Sequence, residues 1–321
     1  MKVLITGISG FAGSHLAEYI IEHHKDVELF GAQKRESSFE NLAHIKNKII
    51  LVECDIQKRA QVEDVVRKIL PDTIFHLAAQ SYAHSSWEDP QATLSTNIMG
   101  QCNLLESIRS IQNYKPVIVI ACSSEEYGFV NENEIPIRET NDLRPRSPYA
   151  LSKVAQDLSG YQYYYTYGMK IIRMRAFNHT GFRRSAVFGI SGFAKKIAEI
   201  EKGLREPKIE VRDLSAVRDF SDVRDIVRGY WKAGELKNFG DVYNVCSGKG
   251  ITIEDMLDTL IKLSQVKNIE KVKDPHGTRP NDGGVIIGDN SKFTQASGWK
   301  SEIDFLKKTL PDMLDWWRKK I

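Results

Sequence analysis

The stretch Thr6-Gly7-Ile8-Ser9-Gly10-Phe11-Ala12-Gly13-Ser14-His15-Leu16 decides the fold. It follows the apolar run Val3 to Thr6 and opens a helical stretch from Ser14 to His24, which places three glycines in a strand-to-helix turn. Glycine permits the tight turn and lets backbone N–H groups at a helix N-terminus approach a pyrophosphate. The spacing is wider than in the dinucleotide fingerprint, but the position between an N-terminal strand and an amphipathic helix gives the motif its weight. Gly7, Gly10, Phe11 and Gly13 are therefore expected to line a dinucleotide site.

Outward from this turn, short β-rich runs alternate with helical stretches. Val27 to Ala32, Ile49 to Glu53, Thr73 to Leu77 and Val117 to Ala121 read as strands, and Ala60 to Leu70 and Ala92 to Ile111 as helices. That alternation predicts a parallel sheet covered by helices. Runs at Met169 to Arg175 and Val242 to Val245 extend the sheet, while Ile209 to Arg212, Gly248 to Ile253 and Ile286 to Asp289 suggest a second set of elements. The expected architecture is an α/β Rossmann fold, a doubly wound parallel sheet with a smaller, discontinuous C-terminal substrate domain. Residues 1–175 with about 215–245 form the first domain, and 176–214 with 246–321 the second.

The chain has 321 residues, 41% hydrophobic and 27% charged, enough to bury a large core. Its 45 basic and 42 acidic residues are interspersed, with no Lys/Arg block of the kind that tracks a phosphate backbone, so nucleic acid is excluded as a partner. Cys54, Cys102, Cys122 and Cys246 stand far apart, which points to a reducing compartment. No apolar run approaches membrane-spanning length, and Val3-Leu4-Ile5 begins too early for a secretory signal. The expectation is a cytoplasmic protein with no membrane partner. The eight histidines form no ligand spacing with the cysteines, so no metal site is expected.

Which dinucleotide binds depends on the end of the second strand, Gly31-Ala32-Gln33-Lys34-Arg35-Glu36-Ser37-Ser38. A basic residue there accepts a 2′-phosphate, and an acidic one takes a ribose hydroxyl. Lys34 and Arg35 favour NADP, whereas Glu36 would favour NAD if the strand ran further.

Tyr149 and Lys153 stand four apart in Ser147-Pro148-Tyr149-Ala150-Leu151-Ser152-Lys153, and on a helix both project from one face. An ammonium beside a phenol stabilises the phenolate, which suits tyrosine to proton exchange with a hydroxyl. Such pairs are also common on solvated helix faces, so the surrounding motifs must carry the argument.

Those motifs resemble the extended short-chain dehydrogenase/reductase family. They are the glycine turn, Asp55 after the third strand, His76-Leu77-Ala78-Ala79-Gln80 after the fourth, Ser123-Ser124-Glu125 after the fifth, and Tyr149 with Lys153. Arg35-Glu36-Ser37-Ser38, Ala79-Gln80-Ser81, Phe177-Asn178-His179, Arg183-Arg184 and Val217-Arg218-Asp219-Phe220 resemble its nucleotide-sugar branch, the GDP-mannose 4,6-dehydratases and GDP-4-keto-6-deoxymannose reductases.

The resemblance implies roles. Ser123 is the catalytic hydroxyl, Tyr149 the base and Lys153 its support. Asp55, Ile56, Leu77, Ala78 and Ala79 join the cofactor residues. Ser81, Ser86, Ser124, Asn178, Arg183, Arg184, Arg218 and Arg279 bind a GDP-sugar. Arg218 could instead form a salt bridge with Asp219 or Asp222, and Ser123 and Ser124 could cap the strand end. A homodimer or homotetramer through two long helices is also implied.

Glu125 separates two reaction types. A redox-neutral dehydratase with bound NADP needs a carboxylate to move protons at C5 and C6, and this is the first reading. The turn Glu125-Glu126-Tyr127-Gly128 equally resembles that of an NAD(P)H-consuming reductase, the alternative. A non-catalytic NADP-sensing protein on the same fold is a remote third.

Overall fold

The computed structural model describes residues 1–274 and 284–321. In chain order the strands are β1 (Lys2–Thr6), β2 (Glu28–Gln33), β3 (Ile50–Glu53), β4 (Thr73–His76), β5 (Val117–Ser123), β6 (Lys170–Ala176), β7 (Asn178–Thr180), β8 (Lys208–Val211), β9 (Val217–Asp222), β10 (Val242–Val245), β11 (Gly250–Thr252), β12 (Glu270–Lys273) and β13 (Val285–Ile286). The helices are α1 (Phe11–His23), α2 (Arg59–Ile69), α3 (Ser85–Glu88), α4 (Pro90–Leu94), α5 (Gly100–Arg109), α6 (Pro148–Tyr167), α7 (Gly189–Glu201), α8 (Val223–Glu235), α9 (Ile253–Leu263), α10 (Ser291–Ser297) and α11 (Leu310–Lys320).

Seven strands form one parallel sheet in the order β10-β6-β5-β4-β1-β2-β3. Because side chains alternate across a strand, Val3 and Ile5 enter the core under α1 and α8, while Leu4 enters the core under α2 and α5. Both faces are covered, which explains the almost continuous burial of β4 and β5. This is the doubly wound architecture expected from the sequence.

A further core joins α7, α9 and α11 around Ile197, Leu257, Leu260 and Leu314. Strands β11, β9, β13 and β7 form a second sheet, and β8 pairs with β12 in a third. Trp317 is buried here and donates to Ser191 Oγ at 3.1 Å. Phe293 and Trp299 join the first core instead, packed against α8 and β10, although they lie within 246–321.

Strand ends move by one to three residues from the sequence reading, most at Ile286 to Asp289, where β13 ends at Ile286. The larger departure lies in the expected helix Ala92 to Ile111. It consists of α4 and α5 joined by a π-helical turn at Ser95–Met99. The wide turn brings Asn97 inward, where Oδ1 accepts from the Gln80 N–H at 2.8 Å and Nδ2 donates to Ser152 Oγ at 2.8 Å. Asn97 thus ties the loop after β4 to α6.

Candidate active site

Strand order reverses between β1 and β4, and ligands of open α/β sheets settle beyond the carboxyl ends of the strands at such a point. A cavity of about 360 Å³ lies there, lined by Gly7, Gly10, Phe11, Gly13, Ile56, Leu77, Ala78 and Ala79 among others. Gly7 has φ +71°, and a Cβ on it would meet the Ala78 backbone at 2.8 Å. A Cβ on Gly13 would meet the Gly7 carbonyl at 2.4 Å. Neither position accepts a larger residue. No side chain caps α1 at Gly10, so its first N–H groups remain available to an anion.

Past the end of β2, Lys34 and Ser37 line this cavity with Gln33. Gln33 Oε1 is buried with no hydrogen-bond partner, an acceptor suited to a ribose hydroxyl. The glycine cradle, that acceptor and the Lys34 cation fit a dinucleotide with a 2′-phosphate. Asp55 stands behind Lys34, its Oδ1 3.4 Å from Nζ. Arg35 is exposed and does not line the cavity.

On the opposite side of the switch point, α6 packs on β5 and delivers the candidate catalytic pair. Ser147 caps this helix by accepting from the Ala150 N–H at 3.0 Å, with Pro148 in the first turn. Tyr149 and Lys153 then share the cavity-facing side, with Nζ 5.9 Å from the ring centre. Lys153 is buried, which lowers its pKa, and it donates to the Ala121 carbonyl at 2.8 Å. Burial pushes the Tyr149 phenol up, while the Ser123 hydroxyl opposes that shift. Ser123 also caps the turn after β5 by accepting from the Glu125 N–H at 3.2 Å.

Glu125 and Glu126 part ways. Glu125 lines a second cavity of about 570 Å³ that contains Ser81, Ser123, Ser124, Tyr149, Asn178 and Arg184. The surrounding protein raises its carboxyl pKa, and Arg218 partly offsets this. Glu126 is fully buried behind the site, where Oε1 accepts from the Ser123 N–H at 2.8 Å. With Cys122 and Asp157 it forms a compact cluster of ligand-type atoms. Arg175 lies 2.8 Å from Asp157 and 3.3 Å from Glu126, and Arg173 also pairs with Asp157. These ion pairs account for the cluster as a buried charge network.

The two cavities share Ser81, Cys122, Tyr149, His179 and Arg184. Burial pulls the Arg184 guanidinium down to about 10, and its centre lies 3.4 Å from the Phe188 ring centre and 4.7 Å from that of Phe11. A third cavity of about 420 Å³ continues from the second through Asn178, Ile190 and Phe220, and adds Lys196, Arg212 and Arg218 together with Glu210, Asp213 and Asp274, Arg212 Nε donating to Asp274 Oδ2 at 2.7 Å. Lys196 and Arg218 beside Phe193, Leu214 and Phe220 suit a nucleoside diphosphate. Arg218 donates to the carbonyls of Val217 and Gly284. Asp219 and Asp222 are occupied by Ser247 and Arg224.

Two expected substrate residues point elsewhere. The Arg183 guanidinium is engaged by Glu18 and His15 on α1. Ser86 is fully buried and closes a turn by donating to the Ala83 carbonyl at 2.6 Å. Arg279 lies outside the described residues. Sequence reasoning passed over Gln33, Asn97, Lys196 and Arg212. Only Gln33 carried a local signal, its place where β2 ends.

No helix among the described residues is long and apolar enough to cross a membrane. The family model described as GDP-mannose 4,6 dehydratase matches residues 4–312. GDP-6-deoxy-D-mannose reductase of Pseudomonas aeruginosa is 31% identical over 100% of this chain and 98% of its own. GDP-mannose 4,6-dehydratase of Yersinia enterocolitica is 30% identical over 94% of this chain and 90% of its own. Among solved structures, the RMD of Pseudomonas aeruginosa complexed with NADPH superposes with TM-score 0.86 at 30% identity, covering 100% of this chain and 99% of that one. UDP-glucose 4-epimerase of Thermotoga maritima superposes with TM-score 0.87 at 26% identity, covering 100% and 99%. Glycine cradle, Ser123-Tyr149-Lys153 site and full-length match agree: the chain belongs to the GDP-mannose 4,6 dehydratase family of extended short-chain dehydrogenases/reductases.

Proposed function

We propose that the protein reduces the C4 ketone of a GDP-4-keto-6-deoxyhexose with NADPH. The observation that carries the redox reading is that Tyr149, with Lys153 on one side and Ser123 on the other, stands where the dinucleotide cavity and the sugar cavity meet. A bound nicotinamide dinucleotide supplies hydride. The chain supplies placement and a proton. The Ser123 hydroxyl hydrogen-bonds the keto oxygen, and Tyr149 gives its proton to that oxygen as it becomes a hydroxyl. Lys153 stabilises the phenolate left behind. Lys196 and Arg218 hold the diphosphate, with the base against Phe193, Leu214 and Phe220.

Arg35-Glu36-Ser37-Ser38 and Arg183-Arg184 look like the cofactor and substrate loops of the dehydratases, but both carry less weight in the fold. Arg35 stands off the cofactor cavity, and Arg183 is engaged by Glu18. A grip through Lys34 alone suits a cofactor that exchanges at each turnover. The end-to-end match with a reductase supports the same reading. The test is to supply GDP-4-keto-6-deoxymannose and follow NADPH absorbance. One NADPH consumed per sugar is expected, and no consumption with any GDP-4-keto sugar would overturn the proposal.

A second reading is the redox-neutral 4,6-dehydratase, favoured by Glu125 on the wall of the sugar cavity with its pKa raised by burial. There Tyr149 takes the C4 hydroxyl proton, and Glu125 takes the C5 proton and returns it to the departing C6 hydroxyl. It predicts a product lighter by one water from GDP-mannose without added reductant. Glu125→Gln would abolish that product, whereas ketone reduction would continue.

A further inference from the structure

Gly181 to Arg184 form a turn closed by a hydrogen bond from the Arg184 N–H to the Gly181 carbonyl at 3.3 Å. Its third residue, Arg183, has φ +69°, a conformation that favours glycine at that position. An arginine held there requires compensation from outside the turn. The compensation comes from α1. Arg183 Nη1 donates to Glu18 Oε1 at 2.8 Å, and Nη2 engages Glu18 Oε2. His15 joins the latch from the same helix. Its Nδ1 lies 2.9 Å from Arg183 Nη2 and its Nε2 3.1 Å from the Phe182 carbonyl. A guanidinium only donates and a carbonyl only accepts, so His15 is neutral with its proton on Nε2.

The next residue, Arg184, faces the other way. It stands between Phe11 and Phe188 in the wall common to the cofactor and sugar cavities, beside Tyr149. Its carbonyl accepts from Ser191 Oγ at 2.7 Å, which pins one side of the residue. The Glu18 latch pins the other.

We propose that Glu18 is a positioning residue: by holding Arg183 against the cofactor helix, it fixes Arg184 between Phe11 and Phe188 at the junction of the two cavities. The consequence is mechanical coupling between the helix that opens the dinucleotide site and a cation in the sugar site. The inference rests on the reading of these cavities as cofactor and sugar-nucleotide sites, but its first test needs no turnover.

That test is labelling of the full-length protein with the arginine-selective reagent phenylglyoxal, mapped residue by residue by mass spectrometry. In Glu18→Gln and in Arg183→Gly, Arg184 should label faster than in the wild type. Arg183→Gly is the sharper variant, because glycine accepts the positive φ and the fold keeps its stability while the latch is lost. Unchanged Arg184 labelling in both variants would overturn the proposal. The second test is kinetic, with the ketone and NADPH. Loss of the latch should lower kcat/KM about tenfold, the scale on which a misplaced positioning group acts. Glu18→Asp should recover part of the loss, and Glu18→Gln should add nothing in an Arg184→Met background. A full Glu18→Gln effect in that background would mean that Glu18 acts elsewhere. If the wild type turns over no GDP-4-keto sugar, the functional reading falls and the labelling result still decides the latch.

Discussion

Thr6 Oγ1 and His76 Nδ1 lie 2.9 Å apart across the seam between β1 and β4, each one residue before a residue, Gly7 or Leu77, that lines the dinucleotide cavity. Thr6 Oγ1 also accepts from the Ala78 N–H at 3.2 Å, so this one hydroxyl ties the end of β1 to both His76 and the loop after β4. His76 Nε2 is buried without a partner.

Burial holds His76 down to about 3, with Lys153 adding to the shift, and burial likewise holds His15 near 3. Histidines held below their unfolded value stabilise the fold above about pH 6.5, and that stability is lost as pH falls toward the folded values. His76 alone should forfeit about 2 kcal/mol between pH 7 and pH 5. Calorimetry across that range should show a falling Tm, and His76→Gln, though less stable at neutral pH, should show a shallower fall.

Lys153→Met should raise the Tyr149 pKa further, because the cation 5.9 Å from the ring centre is removed. In ketone reduction Tyr149 acts while protonated, so activity falls as pH rises through its pKa. The falling limb of the kcat profile should therefore move to higher pH in the variant, with a lower plateau. Tyr149→Phe should lower kcat by about 10²–10⁴-fold at every pH.

Lys34→Glu should weaken NADPH binding and spare NADH, because Lys34 is the cation in the cavity wall past the end of β2 and an acidic residue there faces a ribose hydroxyl. A loss of about 1.5–3 kcal/mol is the scale of a charge-assisted hydrogen bond. Fluorescence titration with both nucleotides measures it.

Leu151, Leu158, Tyr161 and Tyr165 are exposed along one face of α6. Their spacing makes a continuous apolar stripe, the kind of surface that a second copy covers in a helical dimer interface. By light scattering the protein should measure as a dimer and Leu158→Arg as a monomer, with the same circular dichroism spectrum.

Much of this site was legible in the sequence because its parts obey local rules. A glycine turn with no room for a Cβ, an N-capped helix bearing Tyr149 and Lys153, and serines at the end of β5 each depend on neighbours a few residues away. The π-helical turn at Ser95–Met99 was not legible, since the partners that draw Asn97 inward, Gln80 and Ser152, come from other elements. Lys196 and Arg212 were missed for the same reason. Nothing within α7 or just past β8 marks them until packing sets Asn178 and Arg218 beside them.

The sequence by itself determined the doubly wound sheet and set Tyr149 and Lys153 on one face of a helix, because strand period, helix period and glycine sterics act over short distances. Only the tertiary structure decided between neighbours of like chemistry. Glu125 faces the sugar cavity while Glu126 is buried against Arg175, and Arg184 faces Tyr149 while Arg183 turns to Glu18. Adjacent identical residues carry the same local propensities, so only the positions of distant partners can send them opposite ways.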